Sequence, residues 1–167
     1  MGQYLKLLED IKTSKTIPVL LFCIGIPGSS KSTWAKSQKG FEIVCPDEIR
    51  KELTGTISDQ SQNAKVWQIA SQRVIEFLKD GKNVILDATN TTTKGRTQFL
   101  KNIPNDLIYQ KQAIVFDVSP EDAKKRIKKD LEDGKDRSNV PDDVIDRMHK
   151  QFKQDVGNLE KEGFEVL

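Results

Sequence analysis

The chain has 167 residues, of which 36% are hydrophobic and 31% charged, and its net charge is +2. That length suits one domain with one sizeable core, and the polarity, though high, is not that of a disordered chain. So small a net charge is a weak argument for a polyanionic partner, and any basic surface would have to be local.

In chain order, Tyr4, Leu7, Leu8 and Ile11 recur at helical spacing, so residues 3–12 read as a short amphipathic helix. Lys6, Glu9, Asp10 and Lys12 interrupt its apolar residues, which argues against a signal peptide. Val19–Ile24 is a continuous β-prone run, fit for a strand buried on both faces and far too short to cross a membrane. A cytoplasmic protein with no membrane partner is expected. Gly25–Gly28 is a turn, and a helix follows over about Lys31–Lys39, stopped by Gly40. Phe41–Cys45 reads as a second strand, and Pro46 opens a helix to Leu53. Residues 60–80 carry the longest helical pattern, with Val66, Ile69, Ala70, Val74, Phe77 and Leu78 on one face. Val84–Leu86 is a third strand, Thr93–Asn102 a helix, and Ala113–Val118 a fourth strand. Ser119 caps a helix that begins at Pro120 and runs to about Leu131. A charged loop over Asp133–Asn139 precedes a helix from Pro141 to about Glu162, and Phe164–Leu167 offers a fifth strand.

Strands and helices alternate throughout, with no repeat or linker. The expected fold is therefore α/β: a central parallel sheet of about five strands with helices on both faces. Ligands of such sheets gather beyond the carboxyl ends of the strands. Three features fall there: the loop after Ile24, the Pro46-Asp47 turn, and Asp87-Ala88-Thr89-Asn90. Cys23 and Cys45 lie in apolar runs without metal spacing and read as reduced core thiols.

Gly25-Ile26-Pro27-Gly28-Ser29-Ser30-Lys31-Ser32-Thr33 is a phosphate-loop pattern in the strand-to-helix setting that the motif requires. Its backbone N–H groups can surround a β-phosphate, Lys31 can reach the β- and γ-phosphates, and the Ser32 hydroxyl can ligate Mg²⁺. The usual pattern has glycine before the lysine, whereas this chain has Ser30. A non-glycine residue in a left-handed conformation costs about 1–2 kcal/mol, so weakened nucleotide binding is expected. Transfer of a phosphoryl group to an alcohol also needs a carboxylate to accept the hydroxyl proton. Asp47, just after the second strand, suits that role, and its alternative is a plain helix cap. Asp87 can hold a metal-bound water or brace the loop. Thr89 and Asn90 either cap the next helix or act directly. Lys135 and Arg137 lie in a glycine-containing loop after the basic helix that includes Arg126, as a lid over ATP requires.

The order of these motifs resembles the polynucleotide 5′-hydroxyl kinases of phage and bacterial end repair, within the P-loop kinases. The matching stretches are Gly25–Ala35, Pro46-Asp47-Glu48-Ile49-Arg50, Asp87-Ala88-Thr89-Asn90, Asp136-Arg137 and Val140-Pro141-Asp142-Asp143-Val144-Ile145-Asp146-Arg147-Met148. The resemblance spans roughly residues 18–165. It implies a P-loop kinase domain over 1–167, with an N-terminal helix within 1–17 and a lid over about 120–140. It also implies ATP and Mg²⁺ as cofactors and nucleic acid 5′-OH ends, RNA or DNA, as acceptors. Asp47, Lys31 and Arg137 would be catalytic, with Asp47 the general base. Gly25, Pro27, Gly28, Ser29, Ser30, Lys31, Ser32, Thr33 and Arg126 would bind ATP, with Ser32 also on the metal. Arg50, Asp87, Asn90 and Val144 would serve the acceptor side, Arg50 on its phosphate and Val144 under the terminal base; core packing is the alternative for Val144. The chain has no room for a phosphatase or ligase domain, so a kinase-only protein is expected, in the host cytoplasm if phage-encoded. Kinases for small metabolites, or a nucleotide-binding module without catalysis, remain the alternatives. Trp34, Trp67 and His149 read as packing residues.

Overall fold

The computed structural model describes residues 2–5 and 16–167. Residues 2–5 are helical, and the rest of the expected helix over 3–12 lies largely outside the described residues. The remainder builds a five-stranded sheet in the order β2-β3-β1-β4-β5, where β1 is Val19–Ile24, β2 Phe41–Val44, β3 Asn83–Leu86, β4 Gln110–Val115 and β5 Glu165–Val166. Every pairing is parallel. Helices α1 (Lys31–Ser37), α2 (Pro46–Thr54), α3 (Asn63–Lys79), α4 (Thr93–Leu100), α5 (Pro120–Glu132) and α6 (Asp142–Asp155) make the crossovers.

The sequence of β1 explains its central place. Its side chains alternate faces: Leu20, Phe22 and Ile24 enter the larger core, while Leu21 and Cys23 enter a smaller one with Ala35, Ile85, Trp34 and Phe116. A strand apolar on both faces gains from burial only with helices on each side. The larger core takes Val66, Ala70, Val74 and Leu78 from α3, Phe99 from α4 and Ile145 and Phe152 from α6. Phe22 anchors it, with Phe99 and Phe164 edge-on at 5.8 and 5.0 Å between ring centroids.

Two expected boundaries moved. The fourth strand begins at Gln110 rather than Ala113 and stops at Val115. Gln110, Lys111 and Gln112 pair with Val19, Leu20 and Leu21 although they are polar. Only the two-residue β5 covers their other side, so the strand is half exposed there and tolerates polar residues. The last helix ends at Asp155 rather than near Glu162 and continues as a 3₁₀ turn over Val156–Asn158. Gly157 weakens the helix there, and the freed Asp155 carbonyl accepts a hydrogen bond from Arg96 at 3.0 Å. Among the described residues no helix is long and apolar enough to cross a membrane.

The parallel arrangement brings the ends of β1, β2 and β3 to one edge. The Gly25 amide donates to the Thr89 carbonyl at 3.0 Å and the Asp87 amide to the Val44 carbonyl at 2.9 Å. The three sequence features at those ends are thereby tied together by backbone.

Candidate active site

A cleft of about 660 Å³ opens at that edge. Its floor is the phosphate loop. Gly28 sits at φ 81°, and a Cβ there would meet the Ala123 carbonyl oxygen of α5 at 2.6 Å, so only glycine lets the loop approach this helix. Ser30 is also left-handed, at φ 70° and ψ 22°, which is the strain anticipated for a serine at this position. Its Oγ accepts a hydrogen bond from Arg126 at 3.1 Å, and the same guanidinium donates to the Gly28 carbonyl at 3.4 Å. Serine thus gives the loop a tie to α5 that glycine lacks.

Lys31 is only 8% exposed. Its Nζ donates to the Ile26 carbonyl at 2.8 Å and to the Ser29 Oγ at 3.2 Å. Burial pulls its ammonium down to about 8, against the opposing charge of Asp87. A buried cation held by two neutral oxygens lacks a full counter-charge, and the cleft above it suits an anion. The Ser32 Oγ donates to the Asp87 carboxylate at 2.7 Å, and Asp87 is 6% exposed. A hydroxyl beside a carboxylate is the hard-oxygen donor set that Mg²⁺ takes, with its remaining positions left to water and phosphate. No cluster of three or more His, Cys, Asp or Glu side chains able to hold a metal occurs among the described residues. The residues therefore fit a phosphate-bound Mg²⁺ rather than a protein-caged one. Burial pushes the thiols of Cys23 and Cys45 up to about 12, Asp87 adding to the effect, so neither is a nucleophile near neutrality.

The second wall is α2. Pro46 occupies its first turn, followed by Asp47, half open to the cleft. Arg50, one turn on and 5% exposed, donates to Asp47 Oδ1 at 2.5 Å and to Asn63 Oδ1 at 2.7 Å. Its Nε is buried without a partner among the described residues. A buried guanidinium with one unpaired donor has residual demand for an acceptor.

The segment expected as a lid forms the third wall. The segment after α5 brings Lys135, Asp136, Arg137, Ser138 and Val140 to the cleft. Arg137 is braced by Asp130 at 2.8 Å. Lys51 of α2 pairs with Asp136 at 2.5 Å, and Ser138 Oγ donates to the Ile57 carbonyl at 3.5 Å, so this segment rests against the α2 side of the cleft.

Lys31, Ser32, Asp47, Arg50, Asp87 and Arg137 all line this one cleft. Four expected site residues do not: Gly25 lies beneath the loop, Arg126 ties the loop to α5 from outside the lining, and Asn90 and Val144 are placed elsewhere. Asn90 adopts φ 48° and turns its amide to the Cys23 carbonyl at 2.9 Å, staple-fashion between the β1 and β3 ends. The cap of α4 is Thr92, accepting from Gly95 N at 3.1 Å, rather than Thr89 or Asn90. Val144 is half-buried off the cleft, and its neighbours four residues either way, Val140 and Met148, line it instead. Trp34 packs edge-on to Phe116 at 5.7 Å, as expected of a packing residue. Trp67 packs on Phe99 but also lines the cleft, as does Asn63. No sequence signal marks Asn63, since its partner Arg50 lies on another helix.

A family model described as an AAA domain matches residues 20–154. The chain belongs to this family. As an AAA-domain chain it is 31% identical over 155 residues to a protein of Autographa californica nuclear polyhedrosis virus named as a bifunctional polynucleotide kinase/RNA ligase. That match covers 84% of this chain but 22% of the viral protein. The structure of the Pnkp1/Rnl/Hen1 RNA repair complex superposes with a TM-score of 0.71 at 25% identity, covering 89% of this chain and 47% of that one. The chain thus spans less than a quarter of the viral protein and just under half of the repair-complex chain. Deoxyadenosine kinase from M. mycoides with bound dATP shares the fold at a TM-score of 0.52 and 17% identity, over 89% of each chain. The AAA-domain chain is a polynucleotide-kinase-like P-loop domain, and the expected resemblance holds at that level.

Proposed function

We propose that this domain transfers the γ-phosphate of ATP to the 5′-hydroxyl of a polynucleotide. One observation carries the proposal: the Asp47–Arg50–Asn63 chain of hydrogen bonds lies in the same cleft as Lys31 and the Ser32–Asp87 pair. An acceptor phosphate would take further N–H donors of the Arg50 guanidinium, which lines the cleft, and that would set the neighbouring hydroxyl beside Asp47. Asp47 would take the hydroxyl proton as the oxygen bonds to the γ-phosphorus and ADP leaves with the bridging electron pair. Lys31, and Arg137 from the lid, would balance charge on the phosphate oxygens. Ser32 and Asp87 would hold Mg²⁺, which when bound neutralises the β- and γ-phosphates. The wider family likeness to a polynucleotide kinase supports this acceptor.

A second reading is a kinase for a small acceptor such as a nucleoside. The net charge of +2 and the walled cleft favour it. The test offers Mg²⁺ and γ-labelled ATP with a 5′-hydroxyl oligonucleotide, the same strand already 5′-phosphorylated, and free nucleosides. The proposal expects label on the hydroxyl strand alone, lost by at least about 10²-fold in Asp47→Asn. Label on nucleosides with none on the strand selects the second reading. An Asp47→Asn protein as active as wild type would remove the general base from both.

A further inference from the structure

We infer that Trp67 is a stacking platform for one of the two nucleobases that flank the acceptor phosphate at Arg50, so that the site takes an unpaired strand end. This rests on the polynucleotide reading above. Asn63 and Trp67 are four residues apart on α3, hence one turn apart on one face. Asn63 holds the Arg50 guanidinium at 2.7 Å, and both side chains line the cleft. The platform therefore begins about one helical turn, ~6 Å, from the phosphate anchor. That is within reach of a base attached to the same phosphate.

The indole is held for such a role. Phe99 meets it edge-on, 6.1 Å between centroids at 73°, so one side of the ring system is fixed by the core. Trp67 also lines the cleft, and Val140 and Met148 add apolar and thioether surface to the same lining. Aromatic rings beside basic groups are how proteins hold unpaired strands, since every base has a face to stack. A paired base has both faces covered by its neighbours in the helix and would have to leave the stack first. A duplex end is therefore the poorer acceptor.

The test measures kcat and KM for a 5′-hydroxyl pentanucleotide, and for the same strand with abasic sites at its first two positions, in wild type, Trp67→Phe and Trp67→Ala. KM for ATP is measured alongside. A base–aromatic contact corresponds to about 5- to 150-fold in affinity. Trp67→Ala is expected to raise the KM for the intact strand by a factor in that range while KM for ATP holds, with Trp67→Phe recovering most of the loss. The abasic strand should show the raised KM already in wild type and be indifferent to the substitution. Should Trp67→Ala fail to fold, the two strands compared in wild type still decide. Equal KM values for intact and abasic strands, or an intact-strand KM insensitive to Trp67→Ala, overturn the platform and leave the polynucleotide reading standing. A wild-type protein that phosphorylates nucleosides but neither strand overturns both.

Discussion

Arg96 offers the sharpest test of how this fold holds its site. It is 0% exposed, a cation at full burial. Its guanidinium donates to both oxygens of Glu162 at 2.9 and 2.8 Å, to the Asn90 carbonyl at 2.8 Å, to the Asp155 carbonyl at 3.0 Å and to Thr93 Oγ1 at 3.2 Å. Arg96→Met keeps an unbranched apolar stem and removes every one of those donors. It strands the Glu162 carboxylate, whose side chain is 12% exposed, and takes the arginine donor from two carbonyls. Removing one member of a buried pair costs about 3–5 kcal/mol. With a urea m-value of about 2 kcal/mol per molar, the midpoint should fall by about 2 M. Adding Glu162→Gln removes the stranded charge, so the double variant should be more stable than Arg96→Met alone. Urea unfolding followed by circular dichroism reads both effects. An Arg96→Met protein within about 1 kcal/mol of wild type, or a double variant at the sum of the single losses, would refute the idea that this network pins the C-terminal segment to the β3 loop.

Three further outcomes are expected. Gly28→Ala combines a positive φ with a Cβ 2.6 Å from the Ala123 carbonyl, so it should lower stability by about 2 kcal/mol or more in thermal unfolding and weaken ATP in a binding titration. Ser30→Gly relieves about 1–2 kcal/mol of left-handed strain but loses the tie to Arg126 and adds about 0.5–1 kcal/mol of unfolded-chain entropy. Its net stability should stay within about 1 kcal/mol of wild type, and a gain or loss of several kcal/mol in urea unfolding would show that strain and tie do not offset. For Lys31, below pH 8 the folded and unfolded chains both carry its proton and the burial penalty is complete. Between about 8 and 10.5 the unfolded chain holds the proton while the folded one sheds it, so stability rises with pH there, by up to about 3 kcal/mol. The gap between wild type and Lys31→Met in urea titrations should therefore narrow from pH 8 to 10.5, and a constant gap would contradict the buried-cation account.

Much of this was legible in the chain itself. The run Val19–Ile24, the glycine-serine loop and Lys31-Ser32 together dictate a buried strand feeding a phosphate loop, because few other uses exist for that order of residue types. Pro46-Asp47 and Pro120 after Ser119 start helices where the backbone chemistry of proline and caps says they should. Even the left-handed Ser30 was foreseeable, since the loop geometry is set by its neighbours and not by the residue. Local periodicity, turn chemistry and capping act over a few residues and so can be read in one dimension.

What the tertiary structure decided lies in pairs distant along the chain. Arg96 looks like one more surface cation until Glu162, 66 positions away, meets it in the interior. Asn63 has no meaning without Arg50, and Lys51 none without Asp136, 85 positions on. Trp67 fits a core helix by its spacing, and only the course of α6 and of the segment after α5 makes it part of a cleft wall. Asn90 stands in a loop whose sequence suggests a cap, yet the neighbouring strand's Cys23 carbonyl is the acceptor within reach. Such partners are chosen by the packing of whole elements, through burial and the need of each buried polar group for a match, and no stretch of sequence carries that information alone.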